Sequence, residues 1–249
     1  TIRRGDVHGS LLSILDQSIT PMGHRLIRQW VSKPLLNLEQ IQQRQKVVEY
    51  FFNNSMLRIG FRSLLQHLGD LERLSNRVIS GNALPRGLVA LRGIIQKLPE
   101  IRNILPPDEP ALLNALQHFH LCPEALDLLE KAIDEDPPAT LQNTGIIRAS
   151  YSEELDNVIE TSRHAREWIS NLESVERERT GIRTLKVGFN KVFGYYLEIT
   201  HSNSNQAPPE YIRKQTLVNA ERYITPEMKE YESLVLNAEE RIHEIELKL

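Results

Sequence analysis

Residues Leu185–Glu232 read LKVGFNKVFGYYLEITHSNSNQAPPEYIRKQTLVNAERYITPEMKEYE. The flanking sequence carries the three-to-four spacing of amphipathic helices, whereas this stretch is rich in aromatic, β-branched and Gly residues, the composition of strands. "TLKVGFN" alternates, with Leu185, Val187 and Phe189 on one side and Lys186, Gly188 and Asn190 on the other. "GYYLEIT" is a second strand, and "NKVFG" is the turn between them. "HSNSNQAPPE" reads as a polar loop. "YIRKQTLVNAERYI" returns as one or two more strands, bending near Asn219-Ala220.

Two long helices flank this sheet. Upstream, "SYSE" has the form of a capping box, with Ser150 as N-cap and Glu153 at the third helical position. A helix then runs to about Arg179, with a seam through Leu155, Val158, Ser162, Ala165, Ile169 and Leu172. Downstream, Thr225-Pro226 reads as N-cap and first helical residue. Its seam steps by threes and fours through Met228, Tyr231, Val235, Ala238, Ile242, Ile245 and Leu249. Such spacing belongs to helices that pair along a narrow apolar stripe. Roughly 28 residues at about 1.5 Å each make an arm about 40 Å long. The expected architecture is mainly α: a multi-helical body with a long antiparallel helical arm carrying a small antiparallel β-sheet at its tip.

The first part of the chain reads as helices with interruptions. Thr20 and Pro21 open "TPMGHRLIRQWV", which Pro34 ends or bends. From Asn37 a further helix shows Leu38, Ile41, Val48, Phe51 and Phe52 as its apolar side. "LQHLGDLERLSNRVISG" reads as one amphipathic segment and "LPRGLVALRGIIQKLPEIRNIL" as the next, divided by Gly81-Asn82. Shorter helices lie in "EPALLNALQHFH" and "EALDLLEKAID", between the loops "PPDEP" and "DEDPPAT". No internal repeat of fixed period is present.

The 249 residues are 40% hydrophobic and 25% charged, an ordinary globular composition. No run is long and apolar enough to span a membrane. The opening "TIRRGDVHGS" lacks the apolar core of a signal peptide and has no Met, and so reads as the start of an excised piece of a longer chain. The single cysteine, Cys122, has no partner for a disulfide or a thiol-based metal site and is read as a small buried hydrophobe in a reducing compartment. His118 and His120 are poorly spaced for one face of a helix. Asp134-Glu135-Asp136 reads as a solvated loop rather than a cation site.

Net charge is −3, so no global field advertises a nucleic-acid partner. The charge is unevenly distributed. From Gly181 to Thr225 six cations (Arg183, Lys186, Lys191, Arg213, Lys214, Arg222) stand against Glu198, Glu210 and Glu221, a balance of +3. The closing helix carries −4 and residues 1–180 carry −2. A slight excess of Lys and Arg on a solvated sheet is common. Here, however, cations mix with amides at Asn190-Lys191, Arg213-Lys214-Gln215 and Asn219, side chains that bond phosphate oxygens and carry little sequence information. Tyr195-Tyr196 offers a stacking platform for bases, but in so short a strand it reads as packing of the sheet itself.

The same segments closely resemble the clamp region of the MutS family of DNA mismatch-repair proteins: "LKVGFNKVFGYYLEIT" followed by "YIRKQTLVNAERYITPEMKEYE". Upstream, "GSLLSILDQSITPMGHRLIRQWVSKPLLNLEQIQQRQKVVEYF" and "LGDLERLSNRVISGNALPRGLVALRGIIQKLPEI" resemble that family's core and lever region, in the same order. The likeness covers nearly the whole chain and is closer to the bacterial mismatch-binding branch than to its non-repair relatives. It implies a discontinuous helical lever, residues 1–165 and 226–249, interrupted by a clamp over 166–225. It implies double-stranded DNA as partner through backbone contacts, a homodimeric parent in the bacterial cytoplasm (at the nucleoid when on DNA) and no membrane. Carried over by position, Asn190 and Lys191 at the first clamp turn, Lys214 in "RKQTL" and Asn219 in "NAERY" are the candidate DNA-backbone contacts, with Arg213 and Gln215 beside them. Val218 departs from members with Lys there, which implies one phosphate contact fewer.

The family's other chemistry has no counterpart in these residues. Its ATPase needs G-x-x-x-x-G-K-[ST] to hold phosphates, and no Gly-Lys pair occurs. Its mismatch wedge is Phe-x-Glu, and no Phe is followed two residues later by Glu. No catalytic residue and no metal ligand is assigned. The resemblance implies no enzyme and no cofactor in this chain, with ATP and Mg²⁺ belonging to another domain of the parent. The alternative reading is a helical protein-interaction or self-association arm that does not bind DNA itself.

Overall fold

The computed structural model describes residues 9–249; the first eight, where the opening segment shows no signal-peptide core, lie outside the described residues. The protein is mainly α-helical with one four-stranded antiparallel sheet, and forms two compact units that divide at Thr140 and Leu141. Among the described residues no helix is long and apolar enough to cross a membrane.

The first unit holds α1 (Leu11–Leu15), α2 (Pro21–Ser32), α3 (Leu38–Asn53), α4 (Ser55–Gln66), α5 (Leu71–Ile79), α6 (Pro85–Ile104), α7 (Leu113–Gln117) and α8 (Pro123–Ala132). Local chemistry sets several of the starts. Thr20 Oγ1 accepts from the Gly23 amide at 3.1 Å and Asn37 Oδ1 from Gln40 at 3.0 Å. The segment expected to be one helix is two, because Gly69-Asp70 breaks it. Asp70 caps α5 through the Arg73 amide and also receives Arg25 of α2.

Leu105, Leu112 and Leu116 form a core against Val47, Tyr50, Phe51 and Phe61. This corrects the apolar side read for α3. Ile41 and Phe51 are partly buried, but Leu38, Val48 and Phe52 are exposed. Val47 and Phe51, four apart, share the inward face, and their sequence neighbours Val48 and Phe52 sit about 100° further round the helix. Buried Arg92 of α6 donates to the carbonyls of Leu129 and Ile133 at 3.3 and 2.8 Å, supplying α8 with the cation its C-terminus favours. Cys122 is another correction. It is exposed, at φ 51° immediately before Pro123, on the turn that starts α8 rather than in the core.

The second unit is built on α9 (Glu153–Thr180) and α10 (Pro226–Lys248), which run antiparallel. The N-cap of α9 is Ser152, whose Oγ accepts from Leu155, and not Ser150. Ser150 lies at φ 67°, and its amide is drawn to the Asp156 carboxylate at 3.0 Å, which delays the first helical turn by two residues. Leu155, Ala165, Ile169 and Leu172 meet Met228, Val235, Ala238, Ile242 and Ile245 along the expected seam. Trp168 stacks on Tyr231 with ring centroids 4.1 Å apart. Leu249, the last seam position, is exposed.

Three carboxylates in this unit are buried although their residue type is usually solvated: Glu176, Glu232 and Glu246. Each has a partner. Glu246 Oε1 accepts from the amides of Gly145, Ile146 and Ile147 at 3.0, 2.8 and 3.1 Å. His243 Nε2 lies 2.7 Å from the Leu141 carbonyl. The last turns of α10 therefore hold the start of this unit through backbone bonds.

The sheet order is β1 (Lys186–Asn190), β2 (Gly194–Thr200), β4 (Ala220–Ile224), β3 (Ile212–Thr216), every pair antiparallel. Residues 201–206, read as loop, form a 3₁₀ turn. Leu185, Leu197 and Ile199 have no exposed surface and close a core with Leu172, Ile182, Tyr211, Tyr223, Ile224 and Met228. Replacing Leu197 by Ala is expected to destabilise this unit by about 2–5 kcal/mol, followed by urea unfolding on Trp168 fluorescence in a Trp30→Phe background. Glu246→Ala leaves three amides without their acceptor; amide exchange at residues 145–147 is expected to accelerate while the sheet stays protected.

Candidate nucleic-acid interface

Alternation divides the sheet into two faces. Val187, Leu197, Tyr223 and Ile199 turn toward α9 and α10, with Trp168 and Tyr195 packed beside them. The accessible face carries Lys186, Gly188 and Asn190 from β1, Tyr196, Glu198 and Thr200 from β2, Arg222 from β4 and Gln215 from β3. The sheet lies along the final turns of α9: the Val187 amide donates to Glu173 at 2.9 Å, and Arg177 Nε donates to the Leu185 carbonyl at 2.7 Å.

The β1–β2 turn points back along the helices. Lys229 of α10 donates to the Phe193 carbonyl there, and Gly194, at φ 81°, closes the turn. The backbone angle at 194 favours glycine, and any other residue would also have to displace the Glu232 carboxylate, whose Oε1 lies 1.8 Å from where its Cβ would sit. The β3–β4 turn lies at the opposite end of β2, where Thr200 pairs with Ala220. His201 fixes it, with Nε2 placed 2.8 Å from the Leu217 carbonyl.

This topology separates the six candidate residues. Asn190 and Lys191 occupy the first turn and Asn219 the other, about 20 Å apart along the seven residues of β2. Asn190 Oδ1 accepts from the Val192 amide at 2.7 Å, which leaves its amide nitrogen to donate outward. Lys191 is exposed. Arg213, Lys214 and Gln215 lie on edge strand β3, but a register shift between Arg213 and Gln215 turns them in different directions. Arg213 turns to Glu221 at 3.2 Å and Gln215 accepts from Arg222 at 3.0 Å. Lys214 stands on the bulge. Asn219 is exposed, and Val218 beside it is 90% exposed.

Among the described residues the tip cations without an ion pair or hydrogen-bond partner are Arg183, Lys186, Lys191 and Lys214. Both arginines of the sheet are matched by carboxylates: Arg213 by Glu221, and Arg222 by Glu198 at 2.9 Å. Sequence reasoning counted Arg183 and Lys186 as charge but did not select them. The usable signal was alternation, which puts Lys186 on the side opposite Val187. Tyr195 and Tyr196 do pack the sheet. Tyr195 meets Phe189 edge-on at 5.0 Å, and Tyr196 lies against Gly188, under the Arg222 guanidinium. No group of three or more potential metal ligands occurs among the described residues.

Tyr211 ties the sheet to the end of α9 by donating to Glu176, which also receives Arg179 at 2.8 Å; within β4, Tyr223 donates to Glu221. Burial, together with the bond to Glu221, pushes the Tyr223 phenol up to about 12. Burial, then the bond to Glu176, raises Tyr211 further still. The Tyr223 hydroxyl and then Arg213 hold Glu221 below the usual carboxylate range.

The fold thus defines a mainly helical protein whose paired helices carry a small antiparallel sheet with unpaired lysines on its turn and edges. A family model described as MutS domain III matches residues 1–246. Proteins called DNA mismatch repair protein MutS are similar along the chain. That of Dehalococcoides mccartyi strain CBDB1 is 46% identical over 244 residues, which is 97% of this chain and 28% of that protein. That of Acetivibrio thermocellus is 45% identical over 251 residues, 100% of this chain and 29% of its own length. That of Caldanaerobacter subterraneus is 43% identical over 242 residues, again 97% and 28%. The chain belongs to the MutS family, and it spans less than a third of the length of these relatives.

A raised phenol pKa stabilises the fold at pH below the unfolded value, near 10, and that contribution is lost as pH rises through the folded value. Ultraviolet titration is expected to show Tyr211 and Tyr223 still largely protonated at about pH 11. Stability should fall from about pH 10 upward, and less steeply in a Tyr211→Phe variant.

Proposed function

We propose that this chain is the lever and clamp of a mismatch-repair protein, and that its clamp holds the backbone of duplex DNA without reading sequence or mismatch. In this reading residues 1–165 and 226–249 are the lever and 166–225 the clamp. One observation carries it: the four unpaired cations Arg183, Lys186, Lys191 and Lys214 all lie in the net-positive stretch from Gly181 to Thr225, around an accessible sheet face. Lysine is a point charge on a flexible stem, suited to phosphates met in variable geometry. Asn190 and Asn219 add amide donors at the two ends of the sheet, and Arg213 and Gln215 support the edge between them.

The arm supplies the mechanics. Its helices are about 40 Å long and locked by a continuous seam, so a small rotation at the base becomes a large displacement of the sheet. The base of the arm couples in turn to an ATPase domain of the parent protein, where ATP and Mg²⁺ are held. The parent acts as a homodimer in the bacterial cytoplasm, at the nucleoid when on DNA.

A specific observation favours a second, protein-facing role for the first unit. Leu36, Phe52, Met56 and Ile59 expose large apolar surface on and around α3 and α4. A helical interaction surface of this kind is insensitive to salt, and phosphate grip is not.

The test is fluorescence anisotropy with matched and mismatched duplexes across a salt series. Weak, equal binding is expected, with a slope of log affinity on log salt between about −2 and −4 for two to four phosphate contacts. A Lys214→Ala, Asn219→Ala double variant should weaken both duplexes alike. Salt-independent self-association in sedimentation, with no duplex binding at low salt, would leave the protein-interaction reading instead.

A further inference from the structure

Across the accessible face of the sheet, four residues stand in register, one from each strand: Lys186 on β1, Glu198 on β2, Arg222 on β4 and Gln215 on β3. Among the described residues Glu198 is the only carboxylate on this face. Glu221 points the other way, among Ile199 and Tyr223, and Glu210 is taken by Arg179 at 2.7 Å. Arg222 is held on three sides. Its Nε donates to Glu198 Oε2 at 2.9 Å, its Nη1 donates to Gln215 Oε1 at 3.0 Å, and its guanidinium lies 4.3 Å from the centre of the Tyr196 ring. The Arg222 side chain is 19% exposed, so its charge reaches the surface already matched.

The unpaired lysines lie at the margins. Lys186 starts one edge strand and Lys214 sits on the bulge of the other, across three strand spacings, or about 14 Å. That is close to the width of a major groove, about 12 Å. In the backbone-grip reading, that spacing lets Lys186 and Lys214 each face a phosphate on opposite walls of a groove, while the middle of the face presents a carboxylate. The arrangement puts repulsion where a guanidinium would otherwise bind a phosphate through two parallel bonds.

We infer that Glu198 is an internal counterion that occupies the phosphate position at Arg222 and holds the grip of this face on duplex DNA weak. The inference rests on the backbone-grip reading above. It assigns the weakness of that grip to one ion pair. A clamp that releases and re-engages as its lever moves needs such a limit, because a bidentate Arg–phosphate bond would hold it in place.

Glu198→Gln keeps a hydrogen-bond acceptor for Arg222 and removes the charge; Glu198→Thr, a good strand former, removes both and serves if the first variant fails to fold. Far-UV circular dichroism and the Tm identify folded variants. Salt-series anisotropy of the 249-residue chain on a matched duplex is the readout. Either folded variant is expected to bind roughly threefold to tenfold tighter at low salt, with a slope steeper by about one. Arg222→Gln alone leaves the Glu198 carboxylate unmatched and should weaken binding severalfold, and in the Glu198→Gln background it should abolish the gain. If the parent chain binds, Lys214→Ala, Asn219→Ala weakens it and neither Glu198 variant tightens it, the counterion role is overturned and the grip reading stands. If neither the parent chain nor a folded Glu198 variant binds at low salt, both fall. Binding that appears only in the Glu198 variants would establish the counterion as the dominant limit.

Discussion

The second unit depends on the closure of one apolar face. Leu197 and Ile199 of β2, with Leu185 just before β1, are enclosed between the sheet and the facing side chains Leu172 of α9 and Met228 of α10. A four-stranded sheet with one apolar face must cover that face, and here the helices do so. The helices cannot leave that end of their seam open either. Each part supplies the apolar surface the other lacks, and the sheet therefore lies against the side of α9 from Trp168 to Arg177 rather than hanging from its end.

That closure decides which charges are available. Burying one face of β2 turns Glu198 outward, and the register places Lys186, Arg222 and Gln215 beside it as a row. The arginines then find carboxylates within the sheet, and the lysines on the edge strands and first turn do not. A local excess of positive charge is thereby converted into a rim of mobile cations around a neutralised centre. Such a surface suits a phosphate backbone better than base edges, which need fixed, bidentate donors.

Buried carboxylates tie the helices to their surroundings. Glu246 takes three consecutive amides, Glu176 takes Tyr211 and Arg179, and Glu232 receives Lys229 beside Gly194. A buried charge is tolerated only when its lone pairs are filled. These three points are consequently places where backbone path and side-chain position are fixed together, at both ends of the arm.

Sequence alone determined the periodic features. The three-to-four seams fixed the pairing of α9 with α10, and alternation in "KVGFN" and "GYYLEIT" located two strands, because both signals arise from the geometry of single elements. Thr20, Asn37 and Thr225 announced their helix starts, since a cap needs only its own next turn. Ser150 misled because Asp156 captured its amide, and α3 misled because Val48 and Phe52 mimic an inward face that only packing against Phe61 can choose. Of the candidate site, the residue types and their segment were legible. Their separation to opposite ends of β2, the bulge that isolates Lys214, and the pairing of Arg213 and Arg222 were not. Those follow from strand order and register, which bring Arg222 to Glu198, 24 positions away, and no local pattern encodes which partner a charge will meet.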